Sequence, residues 1–355
     1  MTSVTTIGLD LAKTVFQIHG VDAAGNAVLK RQLRRGQVLE FFGKLPPCLV
    51  GMEACGTSHH WARELTKLGH TIKQMPAEYV KAYRKRNKTD AADAEAICEA
   101  VSRPRVNEVA TKTVEQQSAT MPHKVRDQLV WTRTSLTNMI RGLMSEFGII
   151  AATGEKGMAY LLALIVDEAR PELSAAQRAP LLSTAAVLAE IGASITRIDA
   201  LIHAHAKTDP KAKRLMTLPG VAEVVASAFA ATVTKPEAFP NGRAFAASVG
   251  LTPKISGTGG EVTLGAMSKR GNAYLRRMLY LGSAARLAQA IRWPERADPA
   301  LTALLARMPF KKAAIVLANK TARIIWVLLV RGGIYESNHR PTLSVPKVQS
   351  LACAA

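Results

Sequence analysis

Cysteine motifs, aromatic side chains and long apolar runs are all scarce in this chain of 355 residues. Its four cysteines, Cys48, Cys55, Cys98 and Cys353, show no CxxC spacing and no zinc-ligand pattern. Reduced thiols in a cytoplasmic protein are therefore expected rather than a disulfide framework. The greasiest stretch, IIWVLLV at 324–330, falls far short of the roughly 20 apolar residues of a spanning helix. A buried helix is expected there, and no membrane partner. The N-terminal MTSVTTIGLD has no basic region followed by an apolar core, so no secretory leader is expected. Aromatic residues make up 5% of the chain, which argues against extended base stacking as a main mode of recognition. Acids are short as well: 47 Lys and Arg stand against 27 Asp and Glu, a net charge of +20. Such an excess suits a polyanion. With the membrane unsupported, nucleic acid is the expected partner, held by charge and shape with strong salt dependence.

What the chain does have is a pattern that changes along its length. In the first hundred residues strand and helix signals alternate. VTTIGLDL and TVFQIHGVD read as strands, and AAGN turns into AVLKRQLRR; GQVLEFFGKL and SHHWARELTKLG are helical, and CLVGMEA and HTIKQM are strands. Three strands in hairpin succession, then alternating helices and strands, is the order of a ribonuclease H-like fold. From 123 to 148, Val125, Leu129, Thr132, Leu136, Ile140, Leu143 and Phe147 recur at helical steps. Val187, Ile191, Ile195, Ile198 and Ile202 mark a second long helix. The two suit a coiled-coil hairpin or interaction arm, or equally two helices of an ordinary bundle. KTDPKAK (207–213) reads as a polar linker, and TLPGVAEVVASAFAATV as a Pro-Gly turn opening a helix. Such a turn suits a phosphate, or simply starts a helix. The expected organisation is an α/β domain over 1–112, a helical arm over 113–208, a mostly helical domain over 209–335 and a disordered tail over 336–355.

KRNKTDAADAEAI (85–97) sets Asp90 and Asp93 three residues apart at the start of a helix. They share a face with Ala94 and Ile97, and that face continues into Ala100 and Val101, the core-seeking stripe. Asn87 or Thr89 would cap this helix, and capping alone accounts for many such pairs. Asp10 ends the first strand and Glu53 a central one. In a ribonuclease H-like sheet the ends of the first and fourth strands are neighbours, and a following helix can cross beside them. Four carboxylates would then converge, at a cost unless a cation neutralises them. Mg²⁺ suits hard oxygen ligands, and two such ions orient a phosphodiester for in-line displacement. Lys81, Arg84, Lys85, Arg86 and Lys88 lie just before the pair, as a grip on the nucleic-acid backbone.

The stretches IGLDLAK, GMEACGTSHHWARELTKLGH, YVKAYRKRNKTDAADAEAI and TVEQQ resemble the DEDD-type transposases of the insertion sequence 110 family. MEACG and HHWAR are most similar to its insertion sequence 1111 subgroup. Downstream, FPNGRAFAASVGLTPKISGTGGEVTLGAMSKRGNAYLRRML is similar to the family's C-terminal transposase region. The resemblance implies a RuvC-like domain, a coiled-coil connection and a C-terminal transposase domain. It implies Asp10, Glu53, Asp90 and Asp93 as the acidic set, and a serine nucleophile, falling on Ser256, that forms a covalent link to DNA. It further implies a homo-oligomer, a dimer or tetramer, acting on DNA ends with a structured guide RNA.

From the residues themselves, a serine in a Gly-rich loop lets a phosphate approach the backbone closely. Lys254, Lys269, Arg270, Arg276 and Arg277 would surround it with positive charge. A plain Gly/Ser turn fits the same letters. Ser256 follows Pro253 more closely than the family pattern, so Thr258 and Ser268 remain alternative nucleophiles. A hydrolytic RuvC-like junction nuclease needs only the carboxylates, and a non-catalytic nucleic-acid-binding protein needs neither.

Overall fold

The computed structural model describes residues 4–84, 89–104 and 108–336. Lys85, Arg86 and Lys88, and residues 337–355 of the expected disordered tail, lie outside the described residues. The chain divides into two compact units, residues 1–119 and 120–355.

The first unit is built on strands β1 (Thr6–Asp10), β2 (Val15–Val21) and β3 (Ala27–Arg34), then helix α1 (Val38–Gly43) and β4 (Leu49–Glu53). Helix α2 (Ser58–Lys67), β5 (Thr71–Met75), α3 (Ala77–Lys81) and α4 (Asp90–Val101) follow. The sheet order is β3-β2-β1-β4-β5. The pairs β1–β2 and β2–β3 are antiparallel, and β1–β4 and β4–β5 are parallel. Side chains alternate across a strand, and this alternation decides where the acids go. Ile7, Leu9, Val50 and Met52 are fully buried in a cluster with Phe42, Trp61 and Leu65 of α1 and α2. Gly8, Asp10, Gly51 and Glu53 therefore face the opposite side, where α4 packs. Glycine is required for that packing: a Cβ on Gly8 would collide with the Ala94 carbonyl, and one on Gly51 would lie 2.6 Å from Val101 Cβ.

The second unit carries α5 (Val114–Glu146, which begins in the first unit), α6 (Glu155–Val166) and α7 (Ala175–Thr208). It continues with α8 (Pro210–Leu215), α9 (Glu223–Thr232), α10 (Gly242–Ser248) and the hairpin of β6 (Pro253–Thr258) and β7 (Glu261–Met267). Helices α11 (Ala273–Arg292), α12 (Pro299–Arg307) and α13 (Phe310–Arg331) complete it. Phe229, Phe245, Leu279, Ile325 and Leu329 centre its main core. Among the described residues α13 alone has the length and apolar composition to cross a membrane. Its Ala314, Ala318, Ala322 and Ile325 are instead fully buried in the protein.

Several expectations change here. The amphipathic helix expected from 123 begins at Val114 and carries Pro122 inside it. KTDPKAK is a corner between helices rather than a linker. Asp209 caps α8, accepting from the Ala212 N–H at 2.8 Å, with Pro210 in the first turn. Along the long helices Arg126 of α5 pairs with Asp199 of α7, and Leu188, Ile195 and Ile202 are buried on α7 at seven-residue steps. The two helices are also joined at their ends. At the tip, Ile140, Met144, Leu161, Ile165, Leu181 and Leu188 cluster around α6. There the buried Arg178 guanidinium donates to the carbonyls of Leu164, Ile165, Arg170 and Leu173, satisfying the exposed end of α6. At the base, Ser227 Oγ meets His123 Nε2 at 2.8 Å and His205 Nδ1 at 2.9 Å, and His123 Nδ1 meets the Tyr274 hydroxyl at 3.0 Å. Burial, then His205 and Arg126, pushes the His123 imidazole down to about 4, so it is neutral near pH 7.

Candidate carboxylate site and serine hairpin

Asp10 and Glu53 end adjacent parallel strands on the α4 face of the sheet. Helix α4 runs with Cys98 near Thr6 and Ala94 near Gly8, so moving on to Asp10 leads toward its N-terminus. Thr89 caps that end, its hydroxyl accepting from the Ala92 N–H at 3.2 Å. Asp93 is buried on the inner face with Ala94 and Ile97, as the periodicity predicts. Asp90 departs from that reading and is exposed. It sits in the first turn of α4.

The four acids interact across this space. Burial first, then Asp93, Asp90 and Glu53, together raise the Asp10 carboxyl to about 6, while Arg84 opposes them. Arg84 Nε lies 2.6 Å from Asp93 Oδ1. Both atoms are buried, and neither has a hydrogen bond of proper alignment. Arg84, expected on a nucleic-acid backbone, is thus the counter-ion to the acidic set, a role that spacing alone did not signal. Among the described residues no three acidic, histidine or cysteine groups stand in metal-ligating arrangement. The donor set nonetheless fits a hard cation: all its ligands are oxygens, and Asp10 bears the repulsion of three neighbours. Lys81 is exposed at the end of α3.

Ser256 lies on a strand of the second unit, not in a loop. Gly259 and Gly260, with φ of +61° and +88°, make the tight turn between β6 and β7, the conformation that twisted hairpins demand. Ser256 pairs with Thr263, Ile255 with Leu264, Gly257 with Val262 and Thr258 with Glu261. Alternation gives the ribbon two faces. Lys254, Ser256, Thr258 and Thr263 make one polar face. Ile255, Val262 and Leu264 make an apolar one, 71%, 67% and 66% exposed. Ser268 follows the hairpin, its Oγ buried without a hydrogen-bond partner. Of the expected cations, Lys254, Lys269 and Arg270 are exposed. Arg276 and Arg277 hold the fold together: Arg276 donates to the carbonyls of Val249 and Arg270. Arg277 pairs with Asp127 and lies over the Tyr274 ring.

In comparison with known proteins the carboxylates and the serine fall under different family models. A family model described as "Transposase IS116/IS110/IS902 family" matches residues 212–298, and an IS110-type DEDD transposase model matches residues 7–149. The chain is 45% identical to a probable family 20 transposase of Pseudomonas aeruginosa over 94% of its own length and 99% of that protein. The chain belongs to the IS110 transposase family. It is also 35% identical to the transposases of IS1328 from Yersinia enterocolitica and IS1111A from Coxiella burnetii, covering 99% and 92% of those proteins. As a member of the family it is a transposase, an enzyme that breaks and rejoins DNA. The DEDD model spans Asp10, Glu53, Asp90 and Asp93, and the second spans Ser256.

Proposed function

We propose that this transposase breaks and rejoins DNA with two sets of residues: Asp10, Glu53, Asp90 and Asp93 on a ribonuclease H-like domain, and Ser256 on the hairpin. The observation that carries the reading is the convergence of charge on Asp10, where three other carboxylates act through space. Mg²⁺, held by those four residues, would neutralise their charge and polarise a phosphodiester. Ser256 Oγ attacks phosphorus. The O–P bond to serine forms as the bond to the departing nucleotide oxygen breaks, and that oxygen takes up the proton the hydroxyl gives up. Reversal of the step with a new strand rejoins DNA without ATP. Lys254, Lys269 and Arg270 hold the backbone near the hairpin, and Lys81 with the basic run beside it does so near the acids. The exposed apolar seam of α5, with Val125, Leu143 and Phe147 in solvent, supports assembly into a homo-oligomer. The net charge of +20 supports a second polyanion, a structured guide RNA, beside the DNA.

A hydrolytic reading has one observation in its favour: among the described residues no acid or histidine hydrogen-bonds the Ser256 hydroxyl. Element-end DNA, Mg²⁺ and co-purified RNA, analysed on a denaturing gel, separate the two. Wild-type protein is expected to give a protein–DNA adduct that Ser256→Ala abolishes and Thr258→Ala and Ser268→Ala retain. Full cleavage by Ser256→Ala would establish the hydrolytic reading instead.

A further inference from the structure

At the C-terminal end of α11 a cleft of about 410 Å³ opens beside Trp293. Its apolar lining is Ala290, Ala297 and Leu301, and its polar groups are Gln289, Arg286, Arg296 and Asp298. Asp298, the one acid in the lining, is already committed. Its Oδ1 accepts from the Ala300 N–H at 2.9 Å and its Oδ2 pairs with Arg286 at 3.3 Å. The same pair commits Arg286, so Arg296, exposed and 4.0 Å from Glu295, is the cation this cleft offers an anion. A smaller cavity of about 150 Å³ shares Arg286, Asp298 and Leu301 and runs on to Lys320 and Tyr335. The larger cleft, bordered by Trp293, is an open trough; the smaller cavity is bordered by Tyr335.

Trp293 decides what the trough suits. Its indole is 41% exposed, in a chain where aromatic side chains are few and mostly committed to cores. The Arg292 guanidinium lies 4.6 Å from the ring centre and outside the cleft lining, so the indole borders the cleft with a cation against it. An aromatic platform backed by arginine and lined by cations matches unpaired nucleotides: bases stack on the ring and phosphates meet the charges. Gln289 adds an amide that donates and accepts, as a base edge requires.

We propose that this trough binds a short unpaired stretch of nucleic acid, one base stacked on Trp293 and an adjoining phosphate on Arg296. The site goes beyond the strand-breaking reading and does not depend on it, because it uses neither the carboxylates nor Ser256. A duplex keeps its bases stacked on one another and gains only the charges.

Binding of short single-stranded DNA, single-stranded RNA and duplex DNA of equal length, measured by fluorescence anisotropy on the full chain in EDTA, tests this. Trp293→Ala is expected to weaken binding of at least one single strand about tenfold, the usual worth of one stacked base. Duplex binding should change less than about twofold. Trp293→Phe should restore most of the loss, which a merely misfolded variant would not show. Comparison of the DNA and RNA arms identifies which strand the trough prefers. Wild-type affinity of Trp293→Ala for both single strands would overturn the proposal, as would equal losses for single strands and duplex. A change in sedimenting mass of Trp293→Ala with single-strand binding intact would also overturn it, by making the trough a contact between protein chains.

Discussion

Asp10 bears the electrostatic load of the candidate site. Its carboxyl titrates at about 6 in the folded chain, against an ordinary 3.8, because of burial first and then Asp93, Asp90 and Glu53. Below about pH 4 the group is protonated both folded and unfolded, and contributes nothing. Between 3.8 and about 6 the folded chain keeps a proton that the unfolded chain releases, so stability falls as pH rises. Above that window the full loss persists. Asp10→Asn in EDTA is therefore expected to raise the melting temperature by a few degrees near neutral pH, about 1–2 kcal/mol once solvent screening is allowed for. The gain should vanish near pH 4. Thermal melts of the two proteins across that range check it, and a destabilised Asp10→Asn at neutral pH would contradict the convergence of charge. Arg84, 2.6 Å from Asp93, keeps the loss from being larger.

At the level of elements, the site depends on how closely α4 lies on the sheet, and Gly8 and Gly51 set that distance. Gly8→Ala forces the Ala94 turn of α4 away from β1 and carries Asp93 with it. It is expected to cost roughly 2 kcal/mol or more, the scale of overpacking in a closed core. Gly36→Ala, where a Cβ meets nothing within 4 Å, should be near neutral; urea unfolding midpoints of the pair give the comparison. The sheet and this helix were legible in the sequence because the alternation of Ile7 and Leu9, and the spacing of Asp93, Ala94 and Ile97, are local patterns with one burial solution. Other features were not. Ser256 reads as loop because Gly257, Gly259 and Gly260 crowd it, yet two of those glycines only make the turn and leave the serine on a strand. Asp90 shares a helical face with Asp93, but it lies beyond the covered part of that face. The corner at Asp209 looks like a linker until the cap and Pro210 are read together. The tip helix α6 and the Arg178 carbonyl contacts join residues brought together only by folding.

Over the whole molecule the net charge is +20, and in the second unit the long helices are fixed at base and tip by the Ser227 network and by Arg178. The proposed reading brings a cation and a phosphodiester to Asp10, Glu53, Asp90 and Asp93. The chain's place among IS110-family transposases gives that chemistry a substrate, DNA. Family membership was visible in motif order, whereas the hairpin, the counter-ion role of Arg84 and the structural commitments of Arg276 and Arg277 needed coordinates. The most direct measurement is the rate of cleavage of element-end DNA in Mg²⁺ by Asp10→Asn, Glu53→Gln, Asp90→Asn and Asp93→Asn, each with its melting curve recorded. Every variant should stay folded and lose about 100-fold or more in rate. Wild-type cleavage by Asp10→Asn, Glu53→Gln or Asp93→Asn would contradict the assignment of this cluster as the centre of strand breakage.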